Sequence, residues 1–133
     1  MTNGNSSTSQ LSYEEQVVAL VNAERAKENL APLTMTESLK TVAEIRAEET
    51  TVLFSHDRPN GSSCFSILSE YGISYRAAGE NIAWGQKTPE IVVDAWMNSP
   101  GHRANIMSSN FGHIGVGYYV KDNVAYWVQL FTN

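Results

Sequence analysis

Cysteine is nearly absent: Cys64 is the only one in 133 residues. No internal disulfide can form, and no thiolate metal site can be built from cysteine alone. Long apolar runs are also missing. None approaches the roughly 20 residues that a membrane helix needs. Basic charge is sparse, with nine Lys and Arg against fourteen Asp and Glu and a net charge of −5. The nine are scattered, which argues against a phosphate-tracking stripe and a nucleic-acid partner. Catalytic signatures are lacking as well. There is no H-E-x-x-H, Ser66 sits in no G-x-S-x-G elbow, and Cys64 has no neighbouring histidine in sequence. No signal-peptide pattern is visible, since Met1 runs straight into "TNGNSSTSQ". That polar stretch reads as a flexible lead or linker over residues 1–10, followed by a single domain over 11–133.

What is present is a normal core-forming composition, 42% apolar, in a chain of ordinary domain size. Ser12-Tyr13-Glu14-Glu15 is a capping box and predicts a helix over 13–29, with Val17, Leu20 and Val21 on one stripe. Thr36 caps a second helix, expected to run to about Leu53 or Phe54. Its stripe is Leu39, Val42, Ala43, Ala47 and Thr50, with polar residues on the other face. "APLTM" reads as a minor strand, and "CFSILSEYG" as a short helix closed by Gly72. Thr88-Pro89-Glu90 starts another helix, with Ile91, Val92, Ala95 and Trp96 expected to be buried. Ser99-Pro100 starts a short helix through about Met107. Ile114 to Val120 and Val124 to Leu130 then alternate as a hairpin around Asp122-Asn123. Gly115 and Gly117 share one strand face, where a helix could approach closely. Both hairpin faces are apolar, so the expected architecture is α+β, a sheet covered by helices on both sides.

One acid stands out. Glu80, in "AAGENIAWG", lies among small and apolar neighbours, where a bare carboxylate is costly. The chain's three histidines are the partners considered for it. His102 falls in a helix first turn, where the dipole disfavours positive charge and favours the neutral ring that binds a metal or accepts a proton. Position alone favours simple packing or a hydrogen bond beside the cap, since polar residues are common at helix starts. His56 is a loop residue between Ser55 and Asp57, with Asp57 and Arg58 expected to make local turn contacts. His113 opens a strand and is the weakest candidate. A carboxylate receiving an imidazole N–H fixes the tautomer and makes the other nitrogen more basic. A His56–Glu80–His102 set would meet the minimum of three ligands for a divalent metal such as zinc only if Glu80 ligates directly.

In their order and spacing, "LVNAERAKENLAPL", "FSHDRPNG", "AGENIAWG", "AWMNSPGHRANIM", "IGVGYYV" and "YWVQLF" resemble the CAP superfamily. These are the cysteine-rich secretory, antigen 5 and pathogenesis-related proteins, and the nearest match is the short bacterial SCP-like branch. The resemblance implies a three-layer α-β-α sandwich with a mainly antiparallel central sheet. It also implies a surface cleft lined by a His–Glu–Glu–His tetrad. Its first histidine falls on His56, its first glutamate on Glu80 and its second histidine on His102. Ser99 occupies the place of the second glutamate, so the tetrad is incomplete. The resemblance further implies a secreted or cell-surface protein whose cleft binds a lipid, peptide or wall component. Two alternatives stand beside that reading. One is a metal-assisted hydrolase or peptidase with His56 and His102 on the metal. The other is a His–Glu–His set that serves only as a structural brace.

Overall fold

A computed structural model describes residues 11–133; the polar lead expected over 1–10 lies outside the described residues. The elements are α1 (Tyr13–Lys27), β1 (Thr34–Met35), α2 (Glu37–Thr50), α3 (Ser66–Glu70) and β2 (Ala78–Trp84), followed by α4 (Pro89–Met97), α5 (Pro100–Ile106), β3 (His113–Lys121) and β4 (Val124–Thr132). The strands form one sheet in the order β1-β3-β4-β2. β3 pairs antiparallel with β4, and β4 antiparallel with β2, while the two residues of β1 run parallel to β3.

Helices cover both faces, as the apolar alternation requires. On one face Val17, Val18 and Val21 of α1, Val92, Val93 and Trp96 of α4 and Ile106 of α5 pack on Ile114, Val116, Ala125, Trp127 and Phe131. On the other, Leu39, Val42, Ala43 and Ala47 of α2 and Ile67 and Leu68 of α3 pack on Ile82, Val128 and Leu130. The result is the three-layer α-β-α sandwich. α2 lies directly on Gly115 and Gly117, where an added Cβ would run into the carbonyls of Leu39 and Ala43. The hairpin turn uses Asp122 and Asn123 at φ 53° and 64°, the left-handed pair that a two-residue turn between twisted strands favours.

Three local expectations need correction. α1 ends at Lys27, short of residue 29, because Asn29 turns to φ 60° and Leu30 N–H returns to the Arg25 carbonyl. α2 ends at Thr50 rather than Leu53, where the Thr50 and Thr51 hydroxyls bond back to the Ala47 and Glu48 carbonyls. Such back-bonding, in a β-branched run, competes with continuing the helix. In α4, Ile91 and Ala95 are exposed, and the buried stripe is Val92, Val93 and Trp96. The Trp96 indole N–H, donated to the Ile82 carbonyl at 3.2 Å, fixes that rotation.

Candidate functional site

Period-two alternation in β2 sends Glu80 to the α2 face and Asn81 to the α5 face. Glu80 is buried, at 5% exposure, and its partner is one the sequence reading overlooked. Arg46, fully buried on the apolar stripe of α2, donates Nε–H to Glu80 Oε2 at 2.8 Å and Nη2–H to Oε1 at 3.0 Å. The same guanidinium reaches Glu49 Oε1 at 3.0 Å and the Ser55 carbonyl at 2.9 Å. Burial opposes the Arg46 charge, but its bonds to Glu80 and Glu49 outweigh this and raise its pKa.

His56 supplies the third hydrogen bond to the carboxylate, Nδ1 to Oε1 at 2.8 Å. An ionised carboxylate only accepts, so the proton sits on Nδ1 and Nε2 faces outward. The hydrogen bond to Glu80, partly opposed by burial, raises the His56 pKa above its ordinary value. The ring itself is mostly exposed, at 58% of its side chain.

The loop bearing His56 is held at several points. Cys64 N–H donates to the His56 carbonyl at 2.8 Å, and Asp57 and Ser63 form a bridge. Arg58 does more than the local turn contacts expected of it. It is buried and clamps Glu49 of α2, with its shortest bond at 2.8 Å, and Glu70 of α3, also at 2.8 Å. Glu80, Arg46, Glu49, Arg58 and Glu70 thus alternate in sign from the cleft to the far side of the loop.

His102 is placed differently. It sits half-buried on α5, and its carbonyl accepts from Asn81 Nδ2 at 3.1 Å. Asn105, one turn on, donates to Asn81 Oδ1 at 2.9 Å and to the Glu80 carbonyl at 3.3 Å. Asn81 also donates to Gln129 Oε1 at 2.9 Å. The far end of α5 is secured by Arg25, whose Nη1 donates to the Ile106 and Ser108 carbonyls, each at 2.8 Å. Burial lowers the His102 pKa, and the charge of His56 adds to that. Among the described residues, no hydrogen bond joins the His102 ring to Glu80. Ser99 is the N-cap of α5 without a side-chain cap bond. His113 lies away from this cluster and bonds the Asn133 carbonyl through Nδ1 at 3.0 Å.

A cleft of about 350 Å³ opens beside these groups, lined by His56, Asp57, Ser63, Cys64, Phe65, Ala78, Gly79, Glu80 and Asn105. Cys64 is buried there, and donor atoms of His56, Cys64 and Glu80 lie within 4.8 Å of one another. His102, expected to share a metal with His56, is not in that group. The set does not fit a resident dication. Both Glu80 oxygens are engaged, and the adjoining guanidinium balances the Glu80 charge. The Cys64 thiol is pushed up to about 12, first by burial and then by Glu80, which keeps it protonated.

Known proteins resemble this chain over nearly its whole length. The sequence profile of the Cysteine-rich secretory protein family, CAP, matches residues 18–131. The uncharacterized protein YkwD of Bacillus subtilis is 50% identical over 121 residues, covering 90% of this chain and 46% of YkwD. An extracellular protein containing an SCP domain from Bacillus anthracis superposes with a TM-score of 0.85 at 27% identity, over 100% of this chain and 45% of that one. An outer surface protein of Borrelia burgdorferi superposes with a TM-score of 0.82 at 25% identity, over 92% of this chain and 96% of its own. The chain therefore spans less than half the length of the two Bacillus proteins.

Proposed function

The chain belongs to the cysteine-rich secretory protein (CAP) family, and from that premise we propose that it is an extracellular or cell-surface domain that binds a lipid, peptide or wall component in the cleft beside His56 and Glu80. The observation that carries this reading is the state of Glu80. Its charge is compensated from behind by Arg46, so the carboxylate serves to hold the His56 ring at the cleft wall. A bracing role and a binding role are then two sides of one arrangement: Arg46 and Glu80 brace, and His56 meets the ligand. On α5 it is Asn105, one turn beyond His102, that lines the cleft. Surface placement is supported by the extracellular and outer-surface relatives. No helix among the described residues is long and apolar enough to cross a membrane.

Metal-assisted hydrolysis is the second reading, favoured only by the convergence of donor atoms from His56, Cys64 and Glu80, a group without His102. Its weakness is the arginine in direct contact with the carboxylate.

Palmitate, a muropeptide and a short blocked peptide, titrated separately into the isotopically labelled chain, test the proposal. At least one should shift the amide resonances of His56, Cys64, Glu80 and Asn105. The shifts should vanish in the folded double variant His56→Ala, His102→Ala. Shifts that persist in that variant, or a cleft indifferent to all three probes, would overturn the reading. Zinc titrated in parallel should give no heat that depends on the two histidines; such heat, with matching casein hydrolysis, would promote the hydrolase.

A further inference from the structure

β2 ends the sheet on the side away from β1, so one of its edges has no strand partner. The bonds at its two ends establish which groups face that edge. Asn133 N–H donates to the Ala77 carbonyl, and Gly85 N–H to the Ala125 carbonyl, in step with the pairs Ala78↔Thr132 and Trp84↔Tyr126. Bonded and non-bonded pairs alternate along an antiparallel ladder. Gly79, Asn81 and Ala83 therefore turn N–H and C=O toward β4, while Ala78, Glu80 and Ile82 turn theirs outward.

Side chains cap two of these outward carbonyls. Asn105 Nδ2 reaches that of Glu80 at 3.3 Å, and Trp96 Nε1 that of Ile82 at 3.2 Å. Among the described residues, no group accepts from the outward N–H of Ala78 or Glu80, and none donates to the Ala78 carbonyl. Ala78 and Glu80, which carry these three backbone groups, both line the cleft. Like any sheet edge, this stretch leaves backbone donors and acceptors to solvent or to an added strand, and here it does so beside the cleft.

We infer that the cleft takes a short extended peptide, which adds to the outer edge of β2 as one further strand. This rests on the ligand-binding reading above and names its ligand class. One peptide residue would pair with Ala78 in both directions, and a second peptide carbonyl would accept from Glu80 N–H. The Asn105 cap on the Glu80 carbonyl ends the ladder, which keeps the recognised segment short. Strand addition of this kind draws affinity from main-chain bonds and specificity from the walls. Here the walls are Phe65 and the His56 ring, whose outward Nε2 is the polar handle next to the peptide. An acyl chain would leave all three backbone groups unpaired, and the alternation of donor and acceptor on Ala78 matches an amide chain.

Hydrogen exchange of the labelled full chain, with acetyl-Thr-Val-Thr-amide as the probe, tests the inference. With peptide at ten times its Kd, the Ala78 and Glu80 amides should gain about tenfold in protection. Gly79 and Asn81 amides, already bonded to β4, should change little. A probe N-methylated at its central residue and one at the residue after it, compared separately, should include one that binds about tenfold more weakly, through loss of a single main-chain bond. Ala78→Pro removes only an outward N–H, which an edge strand tolerates. It should keep its melting temperature and lose the peptide. Should that variant not fold, the methylated probes make the same test from the ligand side.

Peptide binding that shifts His56 and Cys64 without new protection at Ala78 and Glu80 would overturn edge pairing and leave the cleft reading standing. A cleft that answers palmitate or the muropeptide but not the peptide would do the same. A cleft that answers none of the three would overturn both.

Discussion

Glu80 and Asn81 are adjacent in β2, yet they face opposite layers and solve burial in opposite ways. Glu80 enters the α2 layer as a charge and is met by a charge, Arg46, with Glu49, Arg58 and Glu70 continuing the alternation. Asn81 enters the α5 layer as a neutral amide and is met by amides and a carbonyl, from Asn105, Gln129 and His102. Each network positions one histidine. The ionic one holds the His56 ring through its own nitrogen. The amide one holds His102 only through its backbone, so the His102 ring is left to packing. The two imidazoles therefore differ in kind: one is oriented by a carboxylate and exposed, the other is half-buried on a helix whose backbone is tied down.

The largest way to break this contrast is Arg46→Met. It leaves Glu80 buried with its main compensation gone, and removing one member of a buried ion pair costs about 3–5 kcal/mol. Urea unfolding should show that loss, and the His56 loop should lose order because the bond from Arg46 to the Ser55 carbonyl goes too. Adding Glu80→Leu should recover most of the stability, since an apolar pair of similar size does not incur the desolvation of two charges. Little recovery in the double variant would mean that the ion pair is a net stabiliser rather than a mutual neutralisation.

Asn81→Ala breaks the other network and should cost less, about 1–3 kcal/mol for neutral partners left buried. Its signature differs in place as well as size. Amide exchange in α5 should quicken, because the carbonyl of His102 and the side chain of Asn105 lose their common partner. Exchange in the His56 loop should not change. Equal loosening of both segments would show that the two faces of β2 are coupled rather than separate.

The fold was largely legible because periodicity, caps and turn residues report on it directly. Ser12 with Glu15, Thr36, Thr88-Pro89, Asp122-Asn123 and the Gly115–Gly117 face all carry local physics that needs no distant partner. The site was legible in part. Glu80 among small residues announced a missing counterpart, and one such counterpart, His56, was named. Arg46 was not, although it sits three residues after Ala43 and four before Thr50, inside the buried stripe. An arginine on an apolar stripe is the positional signal that would have paired it with the lone acid of β2. Arg58 looked like a turn residue because nothing local reveals that Glu49 and Glu70 converge on it. The amides of Asn81, Asn105 and Gln129 gave no signal, since neutral polar residues look alike whether they face water or one another.

The smallest effect is also the sharpest test of the contrast between the histidines. Glu80 raises the His56 pKa, while burial, and after it the His56 charge, lowers that of His102. Ring-proton titrations should therefore place the two midpoints on opposite sides of the ordinary value of about 6.5. The linkage has opposite signs as well. The stability that His56 adds is complete below its unfolded pKa and disappears as pH rises through its higher folded value. His102 binds its proton more weakly when folded, so its penalty grows as pH falls from its unfolded pKa through its lower folded value. His56→Gln should thus cost more stability on the acid side than on the alkaline side, by under about 1 kcal/mol for so exposed a ring. His102→Gln should become relatively more favourable as the solution is acidified. Glu80→Gln should bring the His56 midpoint down toward its ordinary value. Coincident midpoints in the native protein would mean that the carboxylate does not distinguish the two rings, and the division of labour between the two faces of β2 would fall with it.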